Sequence, residues 1–305
     1  MARGLARFAA FAALTLAIGA ALETRVAAAT HGSVARKYEA IFAPESRYDG
    51  IVLGCSLEAH GVDPRALAGT GQHWYNFAYS GAGPGFTRGW YELFHAAGKR
   101  AKVALVAADW FLLSPDMSRH LEHDASYWPW PVVGQVLADP GHQPGLTLAN
   151  AFAVSRARDD VQRRFALVRL PREFVPLEDD FHDGWVPVTG ADRAPQAPAF
   201  KQGERERGAA AAFTSLLAAL EADGTRVVVL RMPELQPYAG RHPAELATWR
   251  ALVGRRPLLD YTDGRADTLC HDRGSFVDWA HLNGRGAAAF GAMLARDMRA
   301  LGVGS

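Results

Sequence analysis

The chain has little cysteine, little net charge and no run of basic residues. Two cysteines, Cys55 and Cys270, in 305 residues leave room for at most one disulfide. Two free buried thiols is the simpler reading, and pairing is the alternative if the fold brings them together. A formal charge of +1 without a basic stripe speaks against nucleic-acid binding through phosphate contacts. His120, His123 and Asp124 lie close together, but no third histidine or cysteine stands at ligand spacing, so a solvated helix face is expected there. Gly81-Ala82-Gly83 lacks the further glycine and the downstream acid of a dinucleotide loop. No internal repeat is visible. Neither a metal nor an organic cofactor is called for.

What is present is ordinary globular material: 49% apolar and 21% charged residues, enough for one large α/β domain or two small ones. The first thirty residues differ. Arg3 and Arg7 precede an uncharged stretch, 8–22, rich in Ala, Leu and Phe. It is long for a signal-peptide core and slightly short for a membrane span. Val26-Ala27-Ala28-Ala29 offers a small-residue cleavage site, with Glu23 and Arg25 unusually close. Residues 1–29 therefore read as a signal peptide or a membrane anchor. In either case the arginines keep the N-terminus cytoplasmic, and the domain at 30–305 is exported.

Short apolar runs at 50–54, 74–78, 102–108, 226–230 and 257–261 predict strands. Between them, 86–97, 208–222, 243–253 and 283–301 predict helices. This alternation argues for an α/β fold whose mainly parallel sheet, of about five strands, is covered on both faces. Residues 111–205 hold Trp128, Trp130, Trp185 and many prolines. They read as an irregular insertion or lid, with one helix at about 150–168.

In such sheets chemistry collects at the carboxyl ends of the strands. Ser56 follows the first strand, Gly81 the second and Asp109 the third. Near the C-terminus stands Asp278-Trp279-Ala280-His281, just before the last helix. Serine is a poor nucleophile until a base removes its proton. His281 would be that base, Asp278 would orient it, and the Ser56 and Gly81 backbone N–H groups would receive the oxyanion. Each element alone has a plainer reading: Ser56 as a helix cap, Gly81 as a turn residue, Asp278 as a cap of the last helix. His60 is expected to point into solvent. Trp128, Trp130 and Trp185 form either the insertion's private core or a platform for sugar rings.

On these residues the sequence resembles the SGNH, or GDSL-like, hydrolase superfamily. Gly54-Cys55-Ser56 matches its first block, with Cys55 in the usual Asp place; Gly81 matches the second; Asp278-Trp279-Ala280-His281 matches the last. The resemblance implies a flavodoxin-like three-layer α/β/α sandwich and ester hydrolysis or acyl transfer. The third block departs: Val106-Ala107-Ala108-Asp109-Trp110 carries no oxyanion asparagine, so Asn76 or the insertion would have to supply that donor. An ionised Asp109 would repel the developing charge.

The details look most like exported SGNH-like proteins that accompany a membrane-bound O-acyltransferase. Among these are alginate-type acetylation proteins and the teichoic-acid D-alanyl-transfer protein. That likeness implies an acylated cell-surface carbohydrate as substrate. The rival readings are a catalytically weak subunit that presents glycan to the membrane acyltransferase, and a lipase or thioesterase.

Overall fold

Residues 50–53 read Gly-Ile-Val-Leu and are buried throughout, as a strand covered on both faces requires. This strand, β1 (Gly50–Leu53), is flanked by β2 (Trp74–Asn76) and β3 (Val103–Ala107), both parallel to it. β4 (Arg226–Arg231) pairs with β3, and β5 (Leu258–Asp260) with β4, again in parallel. The order β2-β1-β3-β4-β5 makes an all-parallel five-stranded sheet flanked by helices, a flavodoxin-like three-layer arrangement. The chain leaves β1 in one direction to form β2 and returns past β1 to form β3. The switch point therefore lies beyond the carboxyl ends of β1 and β3, where ligands bind in open α/β sheets.

The structure is a computed structural model that describes residues 2–29, 33–114, 117, 121–138, 144–152, 175–176, 180–189, 208–236, 243–262 and 264–304. Ten α-helices are used below: α1 (Ala2–Ala29), α2 (Ser33–Phe42), α3 (Ser56–Gly61), α4 (Pro84–Ala96), α5 (Trp130–Ala138), α6 (Pro144–Asn150), α7 (Ala209–Ala222), α8 (Pro243–Val253), α9 (Asp267–His271) and α10 (Gly284–Ala300). α10 packs on α3 and on the 3₁₀ turn Pro64–Thr70, while α4 packs on α7. The core joins the inward faces of the strands to large aromatics. Phe213 meets Trp249 edge-on at 4.7 Å, and Tyr261 meets Phe290 at 4.9 Å. Each such side chain buries apolar area worth roughly 2–3 kcal/mol.

The chain divides into two units. One comprises residues 1–38 and 121–170, the other 39–120 and 171–305, so the segment 111–205 is shared between them. In the first unit Tyr38 stacks on Tyr127 at 5.4 Å, and its hydroxyl donates to Asp124 at 3.4 Å. Asp124 is thus buried rather than on a solvated face, while His123 is exposed and His120 lies outside the described residues. Trp128 is buried, but Trp130 is exposed and meets Phe152 edge-on at 5.5 Å.

This unit is more regular than the sequence reading allowed. The 3₁₀ turn Leu121–Tyr127 leads to α5 and α6. Two of its prolines, Pro131 and Pro144, stand in first turns of these helices, where a missing N–H costs nothing. From residue 153 on, the helix expected at 150–168 lies outside the described residues. α1 is long and apolar enough to cross a membrane, and its large side chains, among them Phe8, Phe11 and Leu16, are exposed. Its length and composition are compatible with a signal or an anchor.

Candidate active site

The second unit builds the site from three strand ends and one returning loop. β1 stops at Leu53, and α3 begins at Ser56 with Cys55 as its N-cap. β2 continues alongside: the Phe77 N–H donates to Val52 and the Tyr79 N–H donates to Gly54, at 2.9 Å each. These bonds carry the turn at 79–82 to the side of Ser56. The turn closes with the Ala82 N–H on the Tyr79 carbonyl at 3.0 Å. Gly81 sits in it with φ +77°, a left-handed conformation that strains any residue with a Cβ.

The fourth element is the loop ahead of α10. Phe276 bridges to Leu282, and the Val277 N–H donates to the His281 carbonyl at 2.8 Å, so the loop folds into a hairpin. Leu235 N–H holds the Trp279 carbonyl at 2.8 Å. The Trp279 ring packs against Trp110 and Phe111, just past β3, at 6.1 and 5.8 Å. Asn283 caps α10 through Gly286 N–H at 3.0 Å. The loop is thereby fixed against the ends of β3 and β4.

These supports bring three side chains, 225 residues apart at the extremes, into one line. His281 Nε2 lies 2.9 Å from Ser56 Oγ, and His281 Nδ1 lies 2.7 Å from Asp278 Oδ2. A carboxylate only accepts, so Nδ1 carries the proton and Nε2 presents its lone pair to the Ser56 hydroxyl. Asp278 Oδ1 also accepts from the N–H groups of Ala280 and His281 at 2.9 and 2.8 Å. Burial alone would push the Asp278 carboxyl up. The bond and charge of His281, with the two N–H groups, outweigh it and hold the carboxyl below the usual aspartate range.

The N–H groups of Ser56 and Gly81 donate to no other group among the described residues. Asn76 differs from the expectation that it could supply an oxyanion donor. It is fully buried, and both amide hydrogens are used, on the Glu58 and Val62 carbonyls at 2.8 Å each. Its Oδ1 accepts from Ala78 N–H at 3.0 Å. Asn76 is a brace between β2 and α3. Asp109 also turns inward: it is buried, and its Oδ1 accepts from Met232 N–H at 2.9 Å.

His60 is buried rather than in solvent. The segment 180–189 returns over α3, where the His60 Nδ1–H donates to the Val186 carbonyl at 2.7 Å and Trp185 Nε1 donates to the His60 carbonyl at 2.7 Å. Nε2 faces Ser80 Oγ at 3.5 Å, and the ring centroid lies 6.1 Å from that of His281. A backbone partner 126 positions away leaves no local signal. Trp185 is buried here under Arg65, whose guanidinium lies 5.1 Å from its ring, so it offers no open face to a sugar.

The sequence reading named Asp109 but passed over Glu58, the acid beside it beneath the site. Glu58 is completely buried and accepts from Cys55 N–H at 2.9 Å; the one hint was a carboxylate three positions after a cap residue. Cys55 Sγ, a Glu58 oxygen and an Asp109 oxygen lie within 4.8 Å of one another, the one such group among the described residues with the donors to hold a cation. Cys55 and Cys270 are both free and buried. Nearby, Arg231 and Asp260 form a buried ion pair at 2.9 Å.

Glu234 is buried just after β4. Burial pushes its carboxyl up to about 8, against the pull of Arg231. The stability tied to its proton is complete below the ordinary glutamate value and is lost as pH rises toward 8. Glu234→Gln is therefore expected to match the wild-type Tm at pH 5 and to exceed it by on the order of 5 °C at pH 9, read by circular dichroism. No protein-family model matches the chain, and no curated protein is significantly similar to it.

Proposed function

We propose that the chain is an exported, SGNH-like serine esterase or O-acyltransferase, acting on acyl esters, acetyl esters foremost, of cell-surface polysaccharide. The single observation that carries the reading is the unbroken line Ser56–His281–Asp278 at the switch point of a parallel sheet. Ser56 Oγ attacks the acyl carbonyl as its proton passes to His281 Nε2. The N–H groups of Ser56 and Gly81 receive the oxyanion. Collapse returns the proton from His281 to the departing sugar oxygen and leaves the acyl group on Ser56. Water or an acceptor hydroxyl then gives its proton to His281 and takes the acyl group, and Ser56 recovers its hydrogen. Asp278 stays ionised and stabilises the imidazolium throughout. α1 supports delivery outside the cytoplasm as a cleaved signal or as an anchor beside a membrane-bound O-acyltransferase.

One observation favours a second reading, a glycan-presenting subunit with weak activity. Neither Asp109, turned inward past the third strand, nor Asn76, fully used at the end of the second, donates to the oxyanion. A donor of this kind is worth about 10²–10³ in rate. A serine-directed fluorophosphonate decides between them. Covalent labelling of wild type that maps to the peptide containing Ser56, and is absent from Ser56→Ala, is expected. Unlabelled wild type that binds acetylated glycan tightly would assign the presenting role.

A further inference from the structure

Two buried carboxyl groups, those of Glu58 and Asp109, lie together beside the nucleophile turn. Glu58, third residue of α3, is 0% exposed, and Asp109, just past β3, is 1% exposed. Each uses one oxygen on a backbone donor, Glu58 Oε2 on Cys55 and Asp109 Oδ1 on Met232. The remaining oxygens, Glu58 Oε1 and Asp109 Oδ2, are buried with no other donor to satisfy them. One oxygen of each carboxyl lies within 4.8 Å of the other, and the two side chains are near enough to share a hydrogen bond. Two ionised carboxylates at such range repel strongly in a buried site, and an unsatisfied buried oxygen loses the hydrogen bond that water would have given it. One proton between them removes both penalties.

We propose that Glu58 and Asp109 share a single proton, and that this bridge is a clamp positioning the nucleophile turn. It ties together the ends of β1, β3 and β4, through Cys55, Asp109 and Met232. Cys55 N–H is the donor one peptide before the Ser56 N–H, so the clamp also sets the direction of one oxyanion donor. Glu58 folds back over the turn so closely that a Cβ on Gly54 would stand 2.4 Å from Glu58 Oε2 and 2.7 Å from Ala107 Cβ. Glycine at that position is therefore part of the same device.

The neighbours leave the clamp sensitive to alkali. The Cys55 thiol, pushed well up by burial and by the two acids, is neutral. Arg231 is the cation that acts on Asp109, but Asp260 already holds it. Glu234 adds negative charge once it loses its own proton near 8. Removing the shared proton thus creates a second buried charge with no counter-ion of its own. The carboxyls then push apart and release Cys55 N–H.

Glu58→Gln tests this, because an amide has the shape of the protonated acid and hydrogens that do not titrate. Thermal unfolding from pH 6 to 10, kcat/KM for p-nitrophenyl acetate over the same range, and metal content of the purified protein are measured for wild type, Glu58→Gln and Glu58→Ala. Glu58→Gln is expected within about 2 °C of wild type at pH 6, at least about 3 °C above it at pH 9, and with its alkaline fall in kcat/KM displaced upward or abolished. Glu58→Ala is expected to lose Tm at every pH and to lower kcat at least tenfold. Parallel Tm curves for wild type and Glu58→Gln up to pH 10 would overturn the shared proton. So would one equivalent of metal in the wild type whose chelation lowers Tm, which would make the cluster a cation site. The positioning of Ser56 rests on the esterase reading, whereas the Tm curves do not. Absence of turnover by wild type would therefore sink that reading while unfolding still decides the proton.

Discussion

Ser56→Ala is expected to lower kcat for p-nitrophenyl acetate and for an acetylated glycan by at least about 10⁴-fold and to leave Tm within about 2 °C of wild type. On the proposed function, the size follows from the loss of the atom that would form the acyl-enzyme. His60, the other histidine in the site, has its Nδ1 on the Val186 carbonyl and faces Ser80, not Ser56. The small stability change follows from the position: Ser56 opens α3, but the cap contact belongs to Cys55 N–H and Glu58. Equal turnover by wild type and Ser56→Ala, measured with the same preparations, would remove Ser56 from the mechanism.

Asp278→Asn is expected to lower kcat by about 10³–10⁴-fold with KM changed less than about threefold. An asparagine amide can donate to His281 Nδ1, which moves the ring proton to Nε2, and an Nε2–H cannot accept from Ser56. The variant also separates catalysis from folding through pH. The Asp278 carboxyl is held below its ordinary value, so the stability it contributes is present above the unfolded aspartate value near 4. That stability is lost as pH falls through the lower folded one. Wild type should therefore lose more Tm than Asp278→Asn between pH 5 and pH 2.5. Parallel acid limbs together with unchanged kcat would show that the 2.7 Å bond between Asp278 and His281 has no part in orienting the base.

Much of this site was legible in the chain because its parts obey short-range rules. A run such as Gly-Ile-Val-Leu announces a doubly covered strand, and a residue after such a strand lands on the sheet's carboxyl edge. Ser56 and Gly81 could be placed there from sequence, and the pair Asp278 and His281 could be read as one loop because three positions separate them. Asn76 was visible as a polar residue within the second predicted strand and Asp109 as one at the end of the third. Their direction was not, since each answers to a partner from another strand or helix: Val62 and Glu58 for Asn76, Met232 for Asp109. His60 escaped for the same reason. The helices of the insertion were hidden behind Pro131 and Pro144, which look alike whether they break a helix or begin one.

Sequence by itself determined the strand runs, the glycine turn, the apolar leader and the order in which nucleophile and base appear, because local periodicity and backbone stereochemistry set these. Tertiary structure alone decided that Ser56 Oγ and His281 Nε2 lie 2.9 Å apart across 225 residues, and that two buried carboxyls, each with one oxygen unsatisfied, lie together beside them. Distance and burial depend on which elements pack together, and that depends on the whole chain's choice of strand order and crossover rather than on any residue's neighbours.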